Sequence, residues 1–148
     1  MHRLNFPTYS FRFKNKENNV LVFDVIRKKF VVLQPEEWVR QNCLHYLLED
    51  KCYPISLINV EKSLKVNGIL KRYDIVVYKP CGNIKLLVEC KAPKIAITQE
   101  TFNQIARYNM ALNADYLMIT NGITHYYCQM DYNKAGYNFL RDIPNYTV

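Results

Sequence analysis

The sequence contains no apolar run that approaches the roughly 18 residues needed for a membrane helix. Its first residues are polar and lack the apolar core of a signal peptide. A phosphate-binding loop of the Gly-x-x-x-x-Gly-Lys-Ser/Thr type is also absent, which argues against a P-loop ATPase. These absences predict a cytoplasmic protein that has no membrane partner and no motor of its own.

Cysteine is present in an odd number, five, and no two cysteines have the Cys-x-x-Cys spacing. This pattern argues for a reducing compartment and against a zinc knuckle. The three histidines are isolated, without a Ser or Cys partner at a recognised spacing. A hydrolase built on a Ser–His or Cys–His pair is therefore not expected.

A chain of 148 residues is long enough for one domain and too short for two. We expect an N-terminal β extension over residues 1–33, a core over residues 34–130 and a C-terminal tail over residues 131–148. The tail is rich in Tyr and Asn and has little periodicity. It is expected to wrap the edge of a sheet and to carry no chemistry.

Alternating and β-branched runs predict eight strands, and two segments have the 3.6-residue period of a helix. Pro35 suits a helix start, and Thr98 is a good N-cap. The predicted helices cover residues 35–50 and 98–113. The predicted strands cover residues 9–13, 20–23, 30–33, 55–60, 75–78, 84–90, 116–120 and 123–130.

The order strand, helix, strand over residues 84–120 is typical of a βαβ unit with a right-handed crossover. We therefore predict an α/β (α+β) fold: a mixed central sheet of four or five strands and two main helices. An N-terminal β-hairpin is added to this core. The helix at residues 35–50 is expected on one face of the sheet, with the helix at residues 98–113 against it.

Charges inside apolar strands mark the candidate site. Glu89 and Lys91 project to the same side of their strand, roughly 7 Å apart, because side chains alternate faces. Asp74 lies among apolar residues of the preceding strand. A buried carboxylate costs several kcal/mol unless a cation meets it, and a pair of carboxylates suits a hard divalent ion. We expect Asp74, Glu89 and Lys91 to converge.

Two further acids are weaker candidates. Glu37 lies at the start of the first predicted helix, where a negative charge favours the helix dipole without any other role. Glu61 follows a predicted strand, and a solvated strand-end charge is the favoured interpretation.

These residues carry a resemblance to a known family. Asp74, fourteen intervening residues and then Glu89-Cys90-Lys91 resemble the PD-(D/E)xK nuclease motif. The flanking residues are similar to the N-terminal nuclease domain of type I restriction enzyme R subunits. The similarity includes Pro-Glu-Glu-Trp-Val-Arg-Gln at residues 35–41, the Gln-x-x-x-Tyr-Asn pattern at residues 104–109 and Thr-Asn-Gly at residues 120–122. It covers about residues 30–130, and Tyr73 replaces the proline of the motif.

The resemblance implies a restriction-endonuclease-like fold and a metal-dependent DNA endonuclease of the restriction-modification type. Magnesium, or manganese in its place, would be held by Asp74, Glu89 and the backbone carbonyl of Cys90. Lys91 and Gln104 would complete the catalytic set, and Glu37 would serve the metal directly or through another group. Motor, specificity and methylation subunits are implied partners, so the chain is either a fragment of an R subunit or a stand-alone relative.

The net charge of +7 suits a DNA partner. Residues 1–34 and residues 60–95 each carry an excess of five positive charges. The alternative is a solvated basic surface whose lysines protect an edge strand. The predicted contacts to double-stranded DNA are Lys28, Lys29, Lys62, Arg72 and Tyr108.

Three hypotheses follow. The first is a magnesium-dependent endodeoxyribonuclease. The second is a catalytically silent, nuclease-like module that binds nucleic acid or a partner subunit. The third is an ordinary α/β protein in which Asp74 pairs with Lys71 or Arg72, and Glu89 pairs with Lys91. DNA sequence preference and oligomeric state are not encoded in any recognisable pattern.

Overall fold

The computed structural model describes residues 3–147. The outermost residues of the predicted extension and tail, Met1, His2 and Val148, therefore lie outside the described residues. The described chain forms two β-sheets and two α-helices. The elements are β1 (Phe13–Lys16), β2 (Asn19–Asp24), β3 (Lys29–Val32), α1 (Pro35–His45), β4 (Ile58–Val66), β5 (Ile69–Tyr78), β6 (Ile84–Cys90), α2 (Gln99–Asn109), β7 (Tyr116–Thr120), β8 (His125–Asp131) and β9 (Gly136–Leu140).

The N-terminal residues form a three-stranded antiparallel sheet in the order β1-β2-β3. A two-residue turn at Glu17 and Asn18, both with positive φ, sets the pairing Lys16↔Asn19. The first strand therefore lies at Phe13–Lys16, and its prediction at residues 9–13 was wrong. The apolar side chains before it, including those of Leu4 and Tyr9, pack against the core around α1 instead of forming a strand.

The main sheet has six strands in the order β4-β5-β6-β7-β8-β9, one more than the four or five predicted. The additional strand, Gly136–Leu140, lies in the predicted tail. Asp131 accepts hydrogen bonds from the amides of Asn133 and Lys134. These bonds form the turn after β8 that brings β9 back to pair with it. Phe139 then packs on Phe102 of α2. This long-range contact leaves no alternation of polar and apolar residues in the sequence of β9.

Only β6 and β7 run parallel; the other neighbours in the described sheets are antiparallel. The predicted unit over residues 84–120 is therefore present, with α2 as its crossover. The two helices cover opposite faces of the sheet: Val88 packs in the cluster around α1, whereas Leu87 packs in the cluster around α2. Burial on both faces explains why β6 is an almost continuous apolar run.

Both predicted helices are present with shorter α-helical parts. The first ends at His45 and continues as a π-helical turn over Tyr46–Asp50. Thr98 caps the second, because its side-chain oxygen accepts the Thr101 amide at 3.1 Å. No helix among residues 3–147 is long and apolar enough to cross a membrane.

Gly122 follows β7 and fixes the N-terminal segment to the core. Its carbonyl accepts the Asn5 amide at 2.6 Å. A Cβ atom placed there would lie 2.7 Å from Leu4 Cδ2 and 3.1 Å from Val39 Cγ2. The backbone also has φ +86°, a conformation that side chains disfavour.

Gly122→Ala is expected to lower the melting temperature more than Gly68→Ala does. Gly68 has a similar φ of +80° but nothing within 4 Å of an added Cβ, so it is a matched control for backbone strain. That strain costs about 1–2 kcal/mol in both variants, and Gly122→Ala adds the clash. Thermal unfolding by circular dichroism measures the difference, and equal losses would show that Leu4 moves aside without cost.

Candidate active site

Asp74 lies where β5 and β6 separate. The pairing of the two strands begins at Ile75↔Val88, and Asp74 is the residue of β5 immediately before Ile75. Its Oδ2 accepts the backbone amide of Cys90 at 2.7 Å, so the carboxylate occupies the fork between the strands. This hydrogen bond ties Asp74 to the backbone of the Glu89-Cys90-Lys91 segment. The predicted convergence of the three side chains stays a prediction.

Burial raises the pKa of Asp74 from 3.8 to about 6. The negative charges of Glu36 and Glu89 raise it further, while the Cys90 amide and Arg40 oppose them. The Arg40 guanidinium is the nearest cation, at 3.7 Å from Asp74 Oδ1. Asp74 is therefore a carboxylate whose ionised form is incompletely compensated.

Glu89 lies on the α2 side of the sheet and is only 7% exposed. The ammonium of Lys71 on β5 pairs with its carboxylate. Lys71 also lies over the rings of Tyr73 and Tyr108, 5.0 and 5.1 Å from their centroids. The salt-bridge hypothesis was thus wrong about the partners: Glu89 pairs with Lys71, and Asp74 with Arg40.

Glu37 does not contact Asp74 but is linked to it through Arg40. Arg40 Nε lies 3.1 Å from Glu37 Oε2, although the two atoms are not aligned as a hydrogen bond. Arg27 binds the other carboxylate oxygen at 2.9 Å. The interpretation of Glu37 as a helix-start charge alone is therefore wrong, since its buried carboxylate joins two cations.

Asp74 and Glu37 belong to a network of ion pairs and hydrogen bonds. Four of its residues were not predicted as site residues from the sequence: Asp24, Arg27, Arg40 and Gln41. Asp24 Oδ2 accepts hydrogen bonds from Arg27 Nε at 2.7 Å and Gln41 Nε2 at 2.9 Å. Burial would raise the pKa of Asp24, but hydrogen bonds from Arg27 and Gln41 bring it below its usual value of 3.8. The only sequence signal was a pair of opposite charges three residues apart at the end of an apolar strand.

Glu61 also belongs to the network. Its carboxylate oxygens lie 3.3 Å from Arg27 Nη1 and 3.2 Å from Arg40 Nη1. Interpreting Glu61 as a solvated strand-end charge was wrong, because β4 continues past it to Val66 and the residue lies inside the strand.

The network carries more negative than positive charge. It joins four carboxylates, those of Asp24, Glu37, Glu61 and Asp74, to the two guanidiniums of Arg27 and Arg40. When all four acids are ionised, two negative charges remain uncompensated, and Asp74 lies at the end with the weakest pairing. The buried Gln41 Oε1 also has no hydrogen-bond partner among the described residues.

No three His, Cys, Asp or Glu side chains within residues 3–147 are grouped closely enough to form a metal site by themselves. Asp74 accepts the Cys90 amide, and the charge of Glu89 is near enough to raise the Asp74 pKa, although Glu89 itself pairs with Lys71. Two carboxylates with a backbone carbonyl and waters are a common magnesium donor set. Asp74, Glu89 and the Cys90 carbonyl are groups of these types.

Lys91 and Gln104 occupy different positions around this fork. The Lys91 amide donates to the Thr120 carbonyl at 2.8 Å, which anchors the residue beside β7. Its ammonium makes no ion pair with any described residue. Gln104 is exposed on α2, one turn before Tyr108, on the side of the helix nearest Lys71.

The predicted DNA contacts lie on two surfaces. Lys28 and Lys29 are exposed at the turn into β3. Lys62 and Arg72 are exposed on the hairpin of β4 and β5, beside Asp74, and Tyr108 is 37% exposed on α2. These positions remain predictions, since exposure alone does not identify a ligand.

Most of the candidate site residues lie within the part of the chain that matches a known protein family. No curated protein matches this chain. The family model of the type I restriction enzyme R protein N terminus matches residues 35–144, about three quarters of the sequence. The mixed α/β architecture is compatible with the restriction-endonuclease-like fold. The chain therefore belongs to the family of type I restriction enzyme R protein N-terminal domains.

Proposed function

We propose that this chain is a metal-dependent nuclease domain of a restriction-modification system and that it hydrolyses phosphodiester bonds of double-stranded DNA. The observation that carries the proposal is the fork of β5 and β6. There, the partly buried carboxylate of Asp74, whose pKa is raised to about 6, accepts the backbone amide between Glu89 and Lys91. Family membership supports the reaction class.

Asp74, Glu89 and the Cys90 carbonyl are the groups that would hold magnesium, or manganese in its place. The two uncompensated negative charges of the network favour a divalent cation at this end. When bound, such an ion lowers the pKa of a coordinated water and stabilises negative charge on the phosphate. Arg40 would hold Asp74 and Glu37 in register, which gives Glu37 an indirect role.

The chain's own residues would orient the attack. In hydrolysis the water oxygen bonds to phosphorus and the bond to the leaving oxygen breaks. A proton of the water passes to solvent, and the leaving oxygen takes up a proton from solvent to become a hydroxyl. Lys91, whose ammonium has no acidic partner among the described residues, would offset charge on the phosphate in the transition state. Gln104 would hydrogen-bond the water or a phosphate oxygen from α2.

The exposed basic residues near the fork would bind the phosphate backbone of the duplex. Lys62 and Arg72 lie on the hairpin that leads into Asp74, while Lys28 and Lys29 lie on the N-terminal sheet. Family membership also supports a multisubunit restriction system, whose motor, specificity and methylation subunits we propose as partners. We place the protein in the cytoplasm, where such a system meets DNA.

Lys91→Ala is expected to reduce duplex cleavage in magnesium on the order of 100-fold or more, because it removes a transition-state contact. Manganese affinity, measured by calorimetry, should stay the same or rise, since a like charge has left the ion's surroundings. Lys94→Ala is the matched control, an exposed lysine three residues further along. Wild-type protein that binds no manganese, or Lys91→Ala that cleaves normally, would contradict the proposal.

A second candidate is a catalytically silent module that binds DNA or a partner subunit. The pairing of Glu89 with Lys71 favours it, because this acid is compensated without a metal. Manganese binding separates the two candidates without any partner subunit. A silent module would bind duplex DNA equally well with and without the ion and would give no calorimetric signal with manganese alone.

A further inference from the structure

The hairpin of β4 and β5 extends beyond the rest of the main sheet. The two strands pair from Ile58↔Val77 to Val66↔Ile69, whereas β5 pairs with β6 only from Ile75 onward. Residues 62–73 therefore form a two-stranded ribbon, here called the arm, with no third strand beside it. Because Asp74 is the next residue after the arm, the arm begins at the candidate active site.

The two faces of the arm have different surroundings. On one face, Val66 is fully buried in the core around α2, and the Tyr73 hydroxyl donates to Asn109 of that helix. On the other face, Lys65 lies opposite Leu70 and Ser63 lies opposite Arg72, and all four are exposed. The arm is thus braced on α2 by one face and presents the other to solvent.

The arm as a whole is basic along its strands and apolar at its end. Between Lys62 and Arg72 the arm carries four cations and no acid, and only Lys71 has an acidic partner. At the turn, Ile69 is 64% and Leu70 67% exposed, more than any other large apolar side chain of the described chain. Two adjacent apolar residues exposed at the tip of a basic ribbon indicate a polyanionic partner that also offers apolar surface.

Because side chains alternate between the two faces of a strand, the exposed face of the arm continues along β5 to Asp74. Leu70, Arg72 and Asp74 are two residues apart, and the intervening Tyr73 faces α2. A polyanion whose phosphate reaches Asp74 would therefore meet Arg72 and then Leu70. The major groove of duplex DNA, about 12 Å wide, admits a two-stranded ribbon and presents thymine methyl groups to apolar side chains.

We propose that the arm enters a groove of the duplex that is cut. Lys65 and Arg72 contact phosphates from the exposed face, while Leu70, with Ile69 beside it at the tip, contacts base edges. This inference rests on the proposed function and adds the element that positions the substrate. The arm would hold the duplex in place before the metal site acts on it.

Fluorescence anisotropy with a labelled duplex in EDTA, where cleavage is blocked, tests the arm directly. The double variant Ile69→Ser/Leu70→Ser is expected to weaken binding about tenfold without changing its salt dependence. Lys65→Gln/Arg72→Gln is expected to weaken binding and to reduce the slope of log K against log salt by about two. Ile55→Ser and Lys134→Gln are matched controls for exposed apolar and basic residues elsewhere.

The outcomes separate the arm from the nuclease. Arm variants that bind duplex like wild type, at an unchanged melting temperature, would overturn this inference and leave the nuclease proposal intact. Normal manganese affinity together with weakened DNA binding in the arm variants would support both. Weakened DNA binding in a protein that binds no manganese would support the arm alone. Wild-type protein that binds no duplex would overturn both.

Discussion

Asp74→Asn is expected to stabilise the metal-free protein and to abolish cleavage. The folded protein binds a proton at Asp74 more tightly than the unfolded chain does, since its pKa rises from 3.8 to about 6. The stabilisation from this group is therefore fully present below pH 3.8 and is lost as the pH rises through about 6. At pH 8 the ionised side chain costs at most about 3 kcal/mol, which the neutral amide avoids.

The measurement is thermal unfolding in EDTA at pH 8 and at pH 4. The variant should melt several degrees higher at pH 8, while the difference should nearly disappear at pH 4, where Asp74 is protonated. The variant also loses the ion pair with Arg40, which makes the increase in melting temperature smaller. Glu100→Gln, which removes an exposed carboxylate from α2, is the control and should show little change. A lower melting temperature at pH 8 would mean that Asp74 is a structural ion-pair partner.

Manganese should reverse the order of stability. A ligand that binds only the folded state raises its stability with concentration, so the wild-type melting temperature should climb on titration. The melting temperature of Asp74→Asn should climb much less, because this variant lacks the negative charge of one proposed metal ligand. Cleavage by this variant should fall to the level of the EDTA control.

Arg27→Met is expected to be strongly destabilising, although the residue lies outside the region that matches the family. Its guanidinium contacts Asp24, Glu37 and Glu61. Removing it leaves Glu37 and Glu61 with Arg40 as their cation and leaves Asp24 with the Gln41 amide. Breaking a buried ion pair from one side typically costs about 3–5 kcal/mol. For a chain of this length, the melting temperature should fall on the order of 10 °C.

Lys16→Met is the matched control, since it removes a cation from the exposed strand β1 of the same sheet. Arg27→Met/Glu37→Gln should recover part of the loss, because the second change removes one of the excess negative charges left by the first. If the single variant melts like wild type, the network does not stabilise the fold. In that case Arg40 and Gln41 would suffice to hold Glu37 in place.

The sequence predicted the parts of the fold that short-range patterns encode. Apolar runs with β-branched residues marked β6 and β7, and Thr98 marked the start of α2. Asp74 and Glu89 stood out because a charge inside such a run needs a partner. The extent of β4 and the strand β9 were not predicted, since their exposed faces weaken the alternation.

The partners of the buried charges could not be predicted from spacing. Asp24 and Gln41 are 17 residues apart, and Lys71 and Glu89 are 18 apart. Each of these contacts depends on how the sheets and helices pack, and many other pairings have equally good separation in sequence. Arg40 illustrates the limit, because it lay within the recognised segment at residues 35–41 although its bond to Asp74 was not foreseen.

The parallel pairing of β6 with β7 has a consequence for the order of folding. Antiparallel neighbours such as β4 and β5 are joined by tight turns and form within microseconds, because little chain entropy is lost. The strand with Glu89 gains its second neighbour only when α2 has formed and β7 docks, which closes a longer stretch of chain and is slower. The hydrogen bond from the Lys91 amide to the Thr120 carbonyl requires the same docking of β7. The residues proposed to cut DNA are thus fixed late, after the arm that would hold it.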